Sequence, residues 1–116
     1  MRTIEKRICD VIDNAEGWEY KLSPRDRVTV SMDRISSEPK HDRIVSVYLW
    51  DTEIARITFA ENETRLYIRN GGYYTTTTKG RLNAILRHFN QGAIVQKNFD
   101  WYLNGQPFAG EASLKF

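Results

Sequence analysis

At 116 residues with 41% apolar side chains, the chain has material for one core and too little for two, so residues 1–116 are expected to form a single domain. Three Trp, six Tyr and five Phe exclude a wholly disordered chain, and a net charge of +2 without a like-charge run excludes a basic tail. The single cysteine, Cys9, excludes an internal disulfide and a thiolate metal cluster. The opening MRTIEKRICDVID is charged every few residues and lacks the apolar centre of a signal peptide. No segment approaches membrane-span length, so a cytoplasmic location is expected.

In residues 3–16 the apolar side chains Ile4, Ile8, Val11, Ile12 and Ala15 share one helical face. Thr3 suits the N-cap, Glu5 the first turn and Gly17 the stop. Arg2, Lys6, Arg7, Asp10, Asp13 and Asn14 make the solvated face, and Trp18 and Tyr20 are expected to cover one end of the core. Val28, Val30 and Met32 alternate with Thr29 and Ser31, the pattern of a strand. The polar stretch 33–42 predicts a mobile loop.

The strongest strand signal runs from Arg43 to Arg69. Val45, Val47 and Leu49 alternate in a first strand, Ala55, Ile57 and Phe59 in a second, Leu66 and Ile68 in a third. Side-chain parity fixes register, because a slip of one residue exchanges the two faces. A loop over Ala60–Glu63 sets Ile57 opposite Leu66 and Ala55 opposite Ile68, with Arg56 opposite Tyr67 on the other face. A three-residue loop at Asp51–Glu53 preserves the parity of the first turn, pairing Val47 with Ile57 and Leu49 with Ala55.

Asn70-Gly71-Gly72 reads as a turn, and Tyr73–Thr77 as a β-prone segment pairing back on the third strand. A second helix follows, with Leu82, Ile85, Leu86 and Phe89 on one face, Thr77 or Thr78 as N-cap and Gly92 as stop. Ala93–Val95 begins another strand, and Asn104-Gly105 predicts a type I′ hairpin between Trp101–Leu103 and Gln106–Phe108. Asn83 and Gln96–Asn98 are placed to hydrogen-bond across the helix–hairpin junction. Residues 109–116 carry no assignment. The predicted fold is α+β: a mostly antiparallel sheet (central meander, C-terminal hairpin) with two helices packed on one face.

Two constellations carry possible function. The outward face of the meander collects Ser46, Tyr48, Trp50, Arg56, Thr58, Arg65, Tyr67 and Arg69. Of these, Tyr48, Trp50, Arg56, Arg65, Tyr67 and Arg69 are the candidate partner-binding residues. Arginine among aromatics can anchor a protein interface or stack bases and pair phosphates, and it can equally be a solubilising surface. If this face is exposed, a partner or a second copy of the chain is expected to cover it. The second constellation is the helix start, Thr77, Thr78, Lys79 and Arg81. Cations there oppose the helix dipole, and with the free N–H groups they would converge on an anion. The run is not a P-loop, because Thr78 rather than glycine precedes Lys79.

No catalytic or metal site is predicted, and no cofactor. His41 and His88 lack ligand neighbours. The carboxylate pairs Asp51/Glu53 and Glu61/Glu63 fall in turns exposed to water, where no raised pKa is expected.

GGYYTTTTKGRLNAIL followed by VQKNFDWYL resembles a small bacteriophage-encoded family. The pattern is carried by Gly71, Gly72, Tyr73, Thr77, Thr78, Lys79, Arg81, Leu82, Asn83, Gln96, Lys97, Asn98, Phe99 and Trp101, and spans roughly residues 43–103. The resemblance implies phage origin rather than a mechanism. Phage proteins of this size commonly bind host machinery, anti-CRISPR proteins among them. The expectation is therefore a non-enzymatic binder of a host protein or protein–nucleic-acid complex. Direct nucleic-acid binding is the alternative, and a nucleotide binder at the Thr-Lys-Arg helix start a third.

Overall fold

A computed structural model describes residues 3–14, 19–23, 27–34, 43–60 and 63–116. Trp18, Gly17 and the expected loop beyond Arg34 lie outside the described residues. Helix α1 (Thr3–Asn14) turns Ile4, Ile8 and Ile12 inward, as their spacing requires. Strands β1 (Glu19–Ser23), β2 (Val28–Arg34), β3 (Arg43–Leu49), β4 (Thr52–Ala60) and β5 (Glu63–Arg69) follow, then helix α2 (Thr76–His88). Four short strands complete the chain: β6 (Ile94–Lys97), β7 (Asp100–Leu103), β8 (Gln106–Pro107) and β9 (Glu111–Lys115).

An antiparallel six-stranded sheet has the order β1-β2-β3-β4-β5-β9, and β6-β7-β8 form a second, three-stranded sheet. The core joins the inner sheet face (Val30, Val45, Val47, Ile57, Leu66, Ile68) to Ile8 and Ile12 of α1 and to Leu82, Ile85 and Leu86 of α2. The architecture is the predicted α+β one.

Register in the meander follows side-chain parity. Ala55 pairs with Ile68, Arg56 with Tyr67 and Ile57 with Leu66, as read from the sequence. The preceding hairpin differs. Its loop is the two residues Trp50-Asp51, closed by Leu49 opposite Thr52. Ile54 is an extra residue, a bulge between the pairs Tyr48–Glu53 and Val47–Ala55. Ile54 and Ala55 are therefore both buried. The bulge restores the parity that a three-residue loop would have kept, and it shifts the pairing by two: Val45, not Val47, opposes Ile57.

The Thr-rich run is not a strand. Thr75 holds extended backbone and caps α2, its Oγ1 accepting from the Thr78 N–H at 3.1 Å, so the cap lies two or three residues earlier than expected. The place beside β5 goes instead to β9, in the segment left unassigned: Leu66 pairs with Leu114 and Ile68 with Ala112. At the other end of α2 the stop is Asn90 rather than Gly92. Asn90 takes φ 56°, its N–H donates to Arg87 O, and the Gln91 N–H donates to Leu86 O, a Schellman closure. Asn104-Gly105 forms the predicted type I′ turn. Asn83 ties α2 to β6 as expected: Nδ2 donates to Ile94 O at 3.0 Å and Oδ1 accepts from the Ile94 N–H at 2.6 Å.

Candidate functional site

The outer sheet face carries the predicted residues on adjacent strands. Arg56, Arg65 and Tyr67 border one shallow groove of about 450 Å³. Tyr48 and Arg69 stand half-buried on the same sheet. The face is not the open basic surface that the sequence implies, because Arg56 and Arg65 are held by the chain's own carboxylates. Arg56 donates to both Glu53 oxygens, at 2.7 and 3.2 Å, and lies 5.8 Å from the Tyr67 ring centroid. The hydrogen bond to Glu53 pushes the Arg56 pKa up. Glu63 accepts from Arg65 and lies 3.5 Å from Lys115; the Arg65 hydrogen bond holds its carboxyl below the ordinary value. Tyr67 Oη donates to Glu111 at 2.8 Å, which raises the phenol's pKa. A phosphate approaching here would compete with these carboxylates.

The predicted anion site does not assemble. Arg81 is 1% exposed, and its Nη1 donates to Glu5 Oε2 at 3.0 Å across the α1–α2 contact. It is a core residue, because a guanidinium in the buried face of α2 needs a carboxylate beside it. Thr78 is buried beneath the cap. Lys79 Nζ donates to Gln96 Oε1 at 3.3 Å, toward β6. Thr77 is exposed, and Trp50 leaves the sheet face altogether.

Trp50 belongs to a different surface. At φ 60° in the β3–β4 turn, with its N–H donating to Arg27 O at 2.7 Å, it is 65% exposed. With Tyr73, Leu49 and Ile54 it walls a cavity of about 490 Å³ that reaches Asn70 and the start of α2. Tyr74, the next residue, borders a second cavity of about 370 Å³ with Phe99, Trp101 and Phe108. Tyr74 meets Trp101 edge-on at 5.0 Å, and Trp101 stacks on Phe108 at 6.1 Å. Trp50, Tyr73, Tyr74 and Phe99 thus form an exposed aromatic edge across two cavities.

Three of these four were not among the candidates. A readable signal existed for Phe99. Lys97 pairs with Asp100, leaving Asn98-Phe99 as a two-residue turn with φ 53° and 71°. Both central residues of a type I′ turn need positive φ, which makes glycine the ordinary second residue. Phenylalanine there is 90% exposed.

The family model for the Kyanoviridae Gp96 protein matches residues 1–115. The chain belongs to that phage-encoded family. The match takes in helix α1 and the C-terminal strand, beyond the span 43–103 over which the sequence resemblance was read. No curated protein and no solved structure matches the chain. Among the described residues of this Gp96 family member, no helix is long and apolar enough to cross a membrane.

Proposed function

We propose that this phage protein is a non-enzymatic binding protein that engages a host protein in the host cytoplasm, as an inhibitor of a defence complex in the manner of anti-CRISPR proteins. The observation that carries the reading is Phe99. A bulky side chain at φ 71° costs about 1–2 kcal/mol of backbone strain, and a 90% exposed ring gains nothing from the core. Neither contribution favours folding. Both are explained if a partner buries the ring, since aromatic anchors dominate interface energetics.

Two further observations favour a protein over nucleic acid or a substrate. Arg56 and Arg65 of the sheet face are engaged by Glu53 and Glu63, and Arg81 is buried against Glu5. The single thiol, Cys9, is buried against α2, and its pKa is pushed up to about 11, first by burial and then by Asp13, Asp10 and Glu5; it is a poor nucleophile at neutral pH. Capture from host lysate, with and without nuclease, tests the reading. A stoichiometric protein partner that survives nuclease is expected. Capture that nuclease abolishes would replace the reading with nucleic-acid binding.

A further inference from the structure

The six-stranded sheet ends in two unlike edges. At β1 the pairing with β2 is broken by a bulge between Lys21 and Ser23, and Arg7 Nη1 donates to Leu22 O. A bulge and a side chain set on the backbone both keep an edge from accepting another strand. Among the described residues β9 has neither. Its register with β5 runs unbroken from Arg65–Lys115 to Arg69–Glu111. Glu111, Ser113 and Lys115 are exposed, and Ala112 and Leu114 are half-buried.

The ladder fixes which backbone groups of β9 face outward. Thr64 and Phe116 exchange both N–H···O bonds, at 2.8 Å each, and the Asn70 N–H donates to Gly110 O at 2.9 Å. Bonded pairs recur at every second residue of an antiparallel ladder, so Leu66–Leu114 and Ile68–Ala112 are the bonded pairs between them. The N–H and C=O groups of Glu111, Ser113 and Lys115 therefore point away from β5, along the open edge.

An antiparallel neighbour uses these groups only if its own outward-facing residues stand opposite them. A second copy of β9, related by a two-fold axis at Ser113, meets that condition along the whole strand. Ser113 faces its own counterpart, Glu111 faces Lys115 in both directions, and on the inner face Ala112 meets Leu114. An axis at Ala112 sets Lys115 opposite Ala109, and an axis at Leu114 carries Glu111 past the end of the strand; each leaves an edge charge unmatched. The charges within one chain favour the same register. Arg65 and Lys115 stand directly opposite each other, a like-charge pair. Glu63, bonded to Arg65 and 3.5 Å from Lys115 Nζ, serves both. Glu111 of a second copy would supply Lys115 with a carboxylate of its own. Lysine on an edge ordinarily repels an added strand, but here the added strand brings the counter-charge. We infer that β9 pairs antiparallel with β9 of a second copy about Ser113, so that the sheet runs continuously through a symmetric dimer. This association needs no host protein and stands or falls apart from the proposed function.

Sedimentation equilibrium of the full chain from about 1 µM to about 1 mM should show the mass rising from 13.6 kDa toward twice that value. Amide hydrogen exchange locates the contact. In dilute monomer the Glu111, Ser113 and Lys115 amides should exchange roughly tenfold or more faster than those of Ala112 and Leu114, and in the dimer that alternation should disappear. Glu111→Lys sets lysine against Lys115, and Lys115→Glu sets glutamate against Glu111, so each alone should weaken association by roughly tenfold or more. Mixed in equal amounts, the two variants restore both opposite-charge pairs and should associate with each other as the unaltered chain does with itself. Ser113→Pro removes the central outward N–H, which β5 does not use, and should leave a folded monomer. A mass that stays at 13.6 kDa across the series overturns the inference. So does a dimer in which the outward amides still exchange freely, or an equal mixture of the two folded charge variants that stays monomeric.

Discussion

Replacing Arg81 by methionine should be among the most damaging single substitutions in this chain, although arginine on a helix ordinarily reads as surface. Arg81 and Glu5 are 1% and 7% exposed and 3.0 Å apart. At an effective dielectric of about 20 their attraction is roughly 5 kcal/mol, a sum offset by the cost of desolvating both ions. The intact pair therefore contributes little net stability. Removing one member leaves the other charge buried, which costs about 3–5 kcal/mol. With an unfolding entropy of about 2.1 cal/mol/K per residue, that loss lowers Tm by roughly 12–20 °C for a chain of this length. Arg81→Met and Glu5→Leu should each show it, and the double variant should recover most of the loss, because two apolar side chains can fill the same space. Thermal and denaturant unfolding of the four proteins, read as a double-mutant cycle, measures the coupling. A cost below about 1 kcal/mol for Arg81→Met alone would refute the argument. Arg81→Glu should be more damaging still, since it would set a second carboxylate against Glu5.

Leu66, fully buried between Ile57 and Leu114 in the sheet, should lose roughly 2–5 kcal/mol on change to alanine, measured by urea unfolding. Cys9 should resist thiol reagents in the folded protein and react at once in denaturant. Its folded pKa of about 11 lies above the ordinary value of 9.0, so the native state holds the proton more tightly. The stability this contributes is present below about pH 9 and is lost as pH rises toward 11. Cys9→Ala should flatten the fall in Tm across that window, and an unchanged slope would show that other groups govern it.

The meander was legible because parity constrains it strongly. With Ile57 inward, Leu66 and Ile68 must follow, and the observed pairs agree. The bulge at Ile54 was not legible, since a two-residue loop plus one extra residue leaves the same inward pattern as an odd loop. Threonine's β-propensity disguised the cap at Thr75, where a single hydroxyl–amide bond decides the conformation. Strand β9 escaped because its partner β5 is more than forty residues away, and Ala112 and Leu114 are too few to announce a strand. Arg81 escaped for the same reason: Glu5 lies 76 positions earlier, beyond any local pattern. At the aromatic edge, Trp50 was singled out, but its association with Tyr73 depends on the β3–β4 turn lying against the start of α2.

Phe99→Gly, with stability and capture measured on the same preparation, decides whether the exposed ring serves a partner. Glycine suits the positive φ of that turn, so Tm should hold or rise by a few degrees, at about 3–5 °C per kcal/mol of relieved strain. Capture of the host protein should be lost. A variant that folds as well as wild type and still captures its partner in full would contradict the account, because Phe99 would then be strained and exposed with no partner to bury it.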